Sequence, residues 1–494
     1  MKFDLALIGF GVIGVESLYS LVTKVKKSKK LKIGIIEKDI KNIPGGVAYS
    51  KINSKFGYFN NPLRLSHPFF KDWIFNKKNI EKLILFIKNN PSFFLNEWLK
   101  NNHSELRKKN ISNEIYFPRL IYSFYLEDKI IKTINLIKRK KIKVYFLNGN
   151  LKNIKFKKDY LHLIPSGSLR KFNMTNSREN LKIKILDKNI KSVHSKKILV
   201  GNGLLPPKKI NVINEHINNN YIWDFYSEGG TNKLLKKINL LKKNKKKIVV
   251  TFIGNKAGLL ETMMILKDLI INKKLNLKIN VISNKTSSLN KAEFSKRIKT
   301  YNLSILRLKR IKKIKRADEI FNLLKKEFKK AKTKKFFKYD VWTTILKNNI
   351  LKKSINRLSN FEKKRYNLII FPKIRNLTRF TYPEPVTAKE FLEKSKKIFT
   401  IKGKAVLIRA YKKSYELKLS NNKKVTSDIV VNVSGPVNLE EINSESTFIK
   451  SIKKNIKKFD KRGFITNKSF MLSRQIYLPG ILSYNFNPSR QTII

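Results

Sequence analysis

The stretch that most restricts what this chain can fold into is Gly9-Phe10-Gly11-Val12-Ile13-Gly14, because of what flanks it. Before it, Phe3-Asp4-Leu5-Ala6-Leu7-Ile8 is an apolar run of the length of a buried parallel strand. After it, residues 15–22 read as a helix, and Leu31-Lys32-Ile33-Gly34-Ile35-Ile36 as a second strand ending at Glu37. Strand, G-x-G-x-x-G, helix, strand and then an acid about twenty residues past the last glycine predict a dinucleotide-binding βαβ unit. Gly9 permits the tight turn, Gly11 lets backbone approach a pyrophosphate, and Gly14 lets helix and strand pack closely. The helix N-terminus presents unpaired N–H groups to phosphate, and Glu37 is placed to accept from ribose hydroxyls. A plain glycine-rich turn is the competing explanation, and the flanking strands and acid weigh against it.

At 494 residues the chain exceeds what one core organises, so two or three domains are expected. A hydrophobic content of 41% suits a globular chain. There is no apolar run of membrane-spanning length and no signal-peptide layout, so a soluble cytoplasmic protein without membrane partners is expected. Cysteine is absent, which excludes disulfides, thiolate zinc sites, iron–sulfur clusters and cysteine nucleophiles. His103, His162, His194 and His216 stand at no metal-ligand spacing, and His67 reads as structural, so no metal is expected. The net charge of +75 asks whether the partner is nucleic acid. The basic runs at 24–32, 138–143, 242–247, 309–316 and 453–462 form no single tail or stripe. A codon usage rich in Lys, Asn and Ile accounts for them better, and nucleic acid is not the expected partner.

Farther along, Gly45-Gly46 makes a second glycine turn, and the loop 59–68 carries Asn60-Asn61-Pro62, Arg64 and His67. Residues 120–137 read as an amphipathic helix behind Phe117-Pro118-Arg119, and short strands follow at 143–147, 150–156, 160–164 and 181–186. The strand 197–200 closes on Gly201-Asn202-Gly203 and then Pro206-Pro207, a place to leave one domain for another. Tyr221 and Trp223 read as packing at that junction. A weaker copy of the opening unit begins with a strand at 247–253, the turn Gly254-Asn255-Lys256-Ala257-Gly258, a helix at 259–271 and a strand at 277–282. That second strand ends without an acid, which spares a 2′-phosphate repulsion and leaves Lys285 to pair with it. Residues 295–360 read as mostly helical, with Ile320, Leu323, Leu324 and Phe328 on a core face. Strands are expected at 366–371, 405–411 and 415–419, and Arg375, Arg379, Tyr382 and Glu384 cluster in a loop between them. Val433-Ser434-Gly435-Pro436 and residues 475–480, ending at Gly480, repeat the strand-then-glycine form.

Together these motifs resemble the FAD/NAD(P)-binding proteins related to FAD-dependent urate hydroxylase and the nitro-forming aspartate monooxygenase, and more distantly the lysine and ornithine N-monooxygenases. The residues that carry the resemblance are Gly9–Gly14 with Glu37, Gly45-Gly46-Val47-Ala48-Tyr49, Asn60-Asn61-Pro62, Phe117-Pro118-Arg119 with Tyr125-Leu126, and Val433-Ser434-Gly435-Pro436. It spans most of residues 1–260 and 425–485. It implies an α/β fold of the two-dinucleotide-binding flavoprotein kind. A Rossmann-like FAD domain (1–207) is closed by the C-terminal part (426–494); a linker (208–245) leads to an inserted Rossmann-like NAD(P)-binding domain (246–425). It further implies that Gly9, Gly11, Gly14 and Glu37 hold the FAD pyrophosphate and ribose. Gly46, Asn61 and Arg119 lie near the flavin, Gly203 and Gly435 close strands between domains, and Gly480 approaches the FAD phosphates. NAD(P)H docks near Gly254 and Gly258. Two departures are the degenerate second glycine motif and Gly201-Asn202-Gly203 in place of Ala-Thr-Gly.

The function this implies is an FAD-dependent NAD(P)H oxidoreductase, a monooxygenase that hydroxylates a small polar metabolite through a flavin hydroperoxide. Arg64 and Arg119 are the weak candidates for steering an anionic substrate. A flavin reductase or dehydrogenase without oxygen transfer is the runner-up, and a basic nucleic-acid-binding protein on a Rossmann scaffold is the alternative of another class. A disulfide reductase is excluded, since that chemistry needs a dithiol.

Overall fold

The computed structural model describes the chain except residues 26–30, 52–56, 60–61, 64–65, 91, 108–114, 178–179, 202, 204, 227–228, 256, 285–289, 293–300, 307–310, 312, 438, 443–446, 461–462, 468, 480–482 and 485–494. The first unit opens with β1 (Lys2–Ile8), α1 (Val12–Lys24), β2 (Lys32–Glu37) and the short α2 (Gly46–Tyr49). Three helices follow, α3 (Pro68–Ile74), α4 (Lys77–Asn89) and α5 (Phe93–Arg107), then the long α6 (Arg119–Lys140). Strands β3 (Lys143–Asn148), β4 (Leu151–Phe156), β5 (Leu161–Pro165), β6 (Leu169–Ser177), β7 (Asn180–Ile190) and β8 (Val193–Val200) complete it.

The sheet runs β4-β5-β8-β1-β2-β3-β6-β7, and β8, β1, β2 and β3 are mutually parallel. Ile476–Tyr477, from the far end of the chain, adds a parallel pairing to β8. The strands are apolar on both faces because both faces are covered. Leu7 points into the core shared with α1 and α6, while Ala6 and Ile8 point into a second core with Phe448, Ile449 and Ile476. Helix α6 buries Leu120, Ile121, Phe124, Leu126, Ile130 and Ile134. At its far end Lys140 donates to the carbonyls of Val22, Thr23 and Val25 at 2.8, 2.7 and 2.8 Å, tying down the C-terminus of α1.

The second unit contains β9 (Val212–Ile213), β10 (Tyr221–Ile222), α7 (Gly230–Lys242), β11 (Ile248–Ile253), α8 (Ala257–Ile271) and β12 (Leu277–Ser283). The two-residue strands β13 (Asn290–Lys291) and β14 (Phe380–Thr381) pair with each other. After them come β15 (Ile398–Lys402), β16 (Ala405–Tyr411), β17 (Ser414–Leu419), β18 (Lys424–Ser427) and β19 (Ile429–Asn432). The parallel sheet is β10-β19-β11-β12-β15, and the four-stranded sheet β18-β17-β16-β9 covers its other side through Ile408, Tyr415, Leu417 and Val430.

Three placements correct the expectations from sequence. Residues 429–432 pair with β11 and β10, so they belong to the second sheet rather than to the part that closes the first. The fully buried strand needs a neighbour on each side, and these two strands supply them. Residues 208–245, expected as a linker, supply β10 and α7 to the same unit. The segments crossing between units meet where Pro207 bridges Pro436 and the Val437 N–H donates to the Pro206 carbonyl at 3.0 Å. Residues 366–371, expected as a strand, instead form a π-helical turn, Tyr366–Ile370, running into the helix Phe371–Thr378. Tyr366, Ile370 and Ile374 are buried four residues apart, a helical spacing that an apolar run this short does not reveal. Arg375 lies on that helix, Arg379 caps its end, and Tyr382 precedes the helix Pro383–Lys394. Ile320, Leu324 and Phe328, on the helix Ala317–Thr333, lie in a separate core as expected.

Candidate functional site

The first glycine turn is held by backbone and by one carboxylate. Gly9 adopts φ +90°, and its N–H donates to the Ile36 carbonyl at 2.8 Å, while Gly201 N–H donates to the Ile8 carbonyl at 2.7 Å. A Cβ on Gly14 would lie 2.3 Å from the Gly9 carbonyl oxygen, so only glycine lets α1 start this close to β1. Gly11 precedes α1 with no side chain capping the helix, which leaves its first-turn N–H groups available to an anion. What approaches Gly11 most closely within the protein is the Gly45-Gly46 turn. Gly11 and Gly45 form an isolated bridge, and a Cβ on Gly11 would stand 3.4 Å from the Cα of Gly46.

Glu37 lies beneath this turn and is only 8% exposed. Its two oxygens accept from Phe10 N–H at 2.6 Å and from Asp39 N–H at 3.0 Å. Burial raises its pKa and the two backbone bonds work against that rise. Two oxygens offer about four lone-pair positions, so each keeps one for a further donor such as a ribose hydroxyl. The residues therefore fit the adenosine end of a dinucleotide: a helix start where only Gly14 fits, uncapped amides and a carboxylate with spare acceptor capacity.

The second glycine turn differs. Gly254 has φ +115°, and a Cβ there would meet the Val433 carbonyl oxygen at 2.7 Å. Gly258 lies in the first turn of α8, where a Cβ would come within 2.5 Å of the Tyr226 hydroxyl. A tyrosine thus occupies the helix start at which a pyrophosphate was expected to dock.

Arg119, at the start of α6, joins the two units. Its Nε donates to the Tyr58 carbonyl at 2.9 Å, and its guanidinium pairs with Glu261 of α8 at 2.6 Å. Both side chains are largely buried. Burial opposes the charge of Arg119, but Glu261 outweighs it and keeps the guanidinium pKa above its usual value. Tyr49, Tyr226 and Tyr382 lie within electrostatic reach of this pair, and burial raises the pKa of each. Tyr58 packs on Tyr382 with ring centroids 3.9 Å apart. Gly203 and Gly435 take φ +69° and +96° in open space on either side of the Pro207–Pro436 crossing. His67 caps α3, its Nδ1 accepting from Phe69 N–H at 3.3 Å. Asn61, Arg64, Lys285 and Gly480 lie outside the described residues.

Of the predicted residues, then, the fold brings Gly9, Gly11, Gly14, Glu37 and Gly46 to one place, and Arg119 together with the Gly254–Gly258 turn to another. Tyr58, Tyr226 and Glu261 were not foreseen. Glu261 had left a signal, as an acid in an otherwise apolar helix start; the tyrosines had left none.

Residues 6–173 match a family model described as FAD-NAD(P)-binding. A search of curated protein sequences finds no match. Among solved structures, the chain is similar to the ornithine N-hydroxylase of Kutzneria sp. 744, with 11% identity, 97% of this chain and 92% of that one covered, and a TM-score of 0.48. It is also similar to the cadaverine monooxygenase of Erwinia amylovora, with 11% identity, coverage of 97% and 88%, and a TM-score of 0.48. The thioredoxin reductase of Lactococcus lactis matches at 10% identity, with coverage of 98% and 91% and a TM-score of 0.42. The fold is α/β, with two parallel-sheet units of Rossmann form. Among the described residues no helix is long and apolar enough to cross a membrane.

Proposed function

We propose that this chain is an FAD-dependent oxidoreductase that uses NAD(P)H and transfers oxygen to a small polar metabolite in the cytoplasm. The observation that carries the proposal is Glu37, a buried carboxylate with spare acceptor capacity under a glycine turn in which position 14 has no room for a side chain. The family match over residues 6–173 supports the cofactor class. The resemblance to urate hydroxylase, aspartate monooxygenase and the N-hydroxylating enzymes supports the reaction class.

In this proposal the α1 amides and Gly9 hold the FAD pyrophosphate, and Glu37 holds the ribose. Bound flavin supplies the chemistry, accepting hydride from the nicotinamide and activating dioxygen. The chain's own residues orient and enclose. Arg119 and Glu261 fix one unit against the other, and Tyr58 and Tyr382 form an aromatic wall that excludes water. The domain division that follows places residues 1–207 with the segment after Pro436 in the FAD unit, and β10 through β19 in the NAD(P) unit.

The test is the absorption spectrum of the purified protein, followed by anaerobic titration with NADPH and with NADH. A flavin spectrum bleached by one of them is expected. A colourless protein that stays colourless after incubation with FAD overturns the proposal. Stoichiometric hydrogen peroxide, whatever metabolite is added, would reassign it to a reductase without oxygen transfer.

A further inference from the structure

A strand flanked on both sides in a parallel sheet is ordinarily apolar on both faces, and β12 departs from that on one of them. Leu277, Ile279 and Val281 point into the core shared with α8, and Ile282 points the other way, into the core under the four-stranded sheet. On that second face Lys278 and Asn280 precede Ile282, in register with Val249 and Thr251 of β11. Asn280 is 4% exposed, and its one hydrogen bond among the described residues is a long one, from Nδ2 to the Thr251 hydroxyl at 3.4 Å. A lysine-rich composition accounts for lysines on the surface. It does not account for an under-bonded amide on a covered strand, where local rules give way mainly at functional sites. A cleft of about 450 Å³ lies beside Asn280, between the parallel sheet and β18. Lys247, Lys278 and Lys424 line it together with Val249, Ile401 and Val425.

Neither Lys247 nor Lys278 has a carboxylate partner among the described residues, and the Lys278 ammonium lies over the Phe399 ring at 4.9 Å. Lys424 stands 3.3 Å from Glu416. The next acid, Asp428, is held by Lys245 and by the Val249 N–H at 2.7 Å. The charges of Lys247 and Lys278 are therefore left uncompensated, beside apolar surface and an amide with bonds to spare. We propose that this cleft binds a phosphate monoester with a small apolar body, at a site separate from both dinucleotide seats. Such a monoester carries a charge of about −1.5 to −2 at pH 7, which matches two free ammoniums better than a carboxylate does. The apolar body would cover Val249, Ile401 and Val425, and a cleft of this size holds a small organic molecule. Dinucleotides seat at the carboxyl ends of the strands. Here that end is the Gly254 turn, about 15 Å along β11 from Val249.

The experiment is calorimetric titration of the full chain with phenyl phosphate in about 0.15 M NaCl, which screens scattered surface charge. It is run with and without excess FAD and NAD⁺, neither of which carries a phosphate monoester. Inorganic phosphate and phenol are the two partial probes. The variants are Lys247→Ala with Lys278→Ala, Asn280→Asp, and a control pair, Lys236→Ala with Lys242→Ala. The control removes the same charge from exposed positions on α7 that do not line the cleft. Phenyl phosphate affinity should fall about tenfold in the cleft pair and severalfold in Asn280→Asp, and stay unchanged in the control pair. Inorganic phosphate should bind severalfold more weakly than phenyl phosphate, and phenol not measurably. A wild type that does not bind phenyl phosphate overturns the proposal. So does an equal loss in the control pair, which would make the binding a sum over surface lysines. Binding abolished by FAD or NAD⁺ places the anion at a dinucleotide seat and overturns the separate site. Inorganic phosphate bound as tightly as phenyl phosphate overturns the organic ligand. A cleft pair with lower Tm and unchanged affinity makes Lys278 structural and overturns the assignment as well. The readout needs no flavin, so a protein that takes up no FAD but shows the expected pattern loses the flavoenzyme reading and keeps the cleft.

Discussion

The two glycine turns occupy equivalent places, each at the end of a central parallel strand and the start of a helix, yet each is completed by a different kind of group. At the first, a carboxylate from the neighbouring strand ties down the turn from below, and the helix start is left bare. At the second, the neighbouring strand ends in Ser283, and a tyrosine from outside the βαβ unit covers the helix start. Gly14 is required by its own unit, since the clash is with Gly9. Gly258 is required by a visitor, since the clash is with Tyr226. The same backbone frame thus supports a rigid cradle in one unit and, in the other, a seat that a movable side chain occupies.

Gly14→Val is the change that breaks the first turn most severely. A side chain 2.3 Å from a carbonyl oxygen cannot be relieved by a rotamer, so α1 must leave β1. The expected loss is about 3 kcal/mol or more, seen as a large fall in Tm and no bound flavin. A variant with wild-type Tm would show that the helix does not start where it is described. Arg119→Ala attacks the bond between the units and strands Glu261 without its cation. It should cost about 3 kcal/mol by chemical denaturation, and Glu261→Ala added to it should recover part of that. Strict additivity would mean that the two residues do not act as a pair.

The first turn was legible in the sequence for a physical reason: its glycines, its helix and its carboxylate all come from residues 3–37, at spacings that strand and helix geometry fix, and only the bracing by Asp39, Gly45 and Gly201 comes from farther along. The second was legible only as a glycine turn, because the residue that distinguishes it, Tyr226, arrives from a loop. Arg119 could be singled out, but its partner lies 142 residues away on another sheet's helix, and nothing local announces the pairing. The same applies to β19. Its apolar run reads as a buried strand, but which sheet it joins depends on neighbours at residues 221 and 248. Short apolar stretches such as 366–371 fail differently, since the run is compatible with either period and flanking helices decide it.

Glu37→Gln sharpens the comparison through pH. The amide keeps one acceptor oxygen and turns an N–H₂ toward the second backbone donor, a cost of about 1–2 kcal/mol. Because burial raises the pKa of Glu37 in the folded protein, the folded state holds its proton more tightly than the unfolded chain does. Stability from this group is full below the unfolded value and is lost as pH rises through the folded one. The Tm gap between wild type and variant should therefore narrow as pH rises above the ordinary carboxylate range. A gap that widens instead contradicts the burial described here. FAD affinity should drop most in the variant at the higher pH values, where Glu37 is ionised and the ribose loses a charged acceptor.

The smallest effect expected is at the second turn. Gly258→Ala places a methyl against the far end of a side chain rather than against backbone, so Tyr226 can move aside. A cost of about 1 kcal/mol follows, and Tyr226→Phe in the same chain should recover part of it, because the hydroxyl is the nearest clash while Tyr226 Cζ and Val433 Cγ1 remain at 3.0 Å. The two turns then separate cleanly. No second substitution should rescue Gly14→Val, whereas removing one atom relieves Gly258→Ala in part. If Tyr226→Phe alone also strengthens NADPH binding by calorimetry, the tyrosine hydroxyl occupies the phosphate seat of the second unit. If it weakens binding, the hydroxyl is part of that seat.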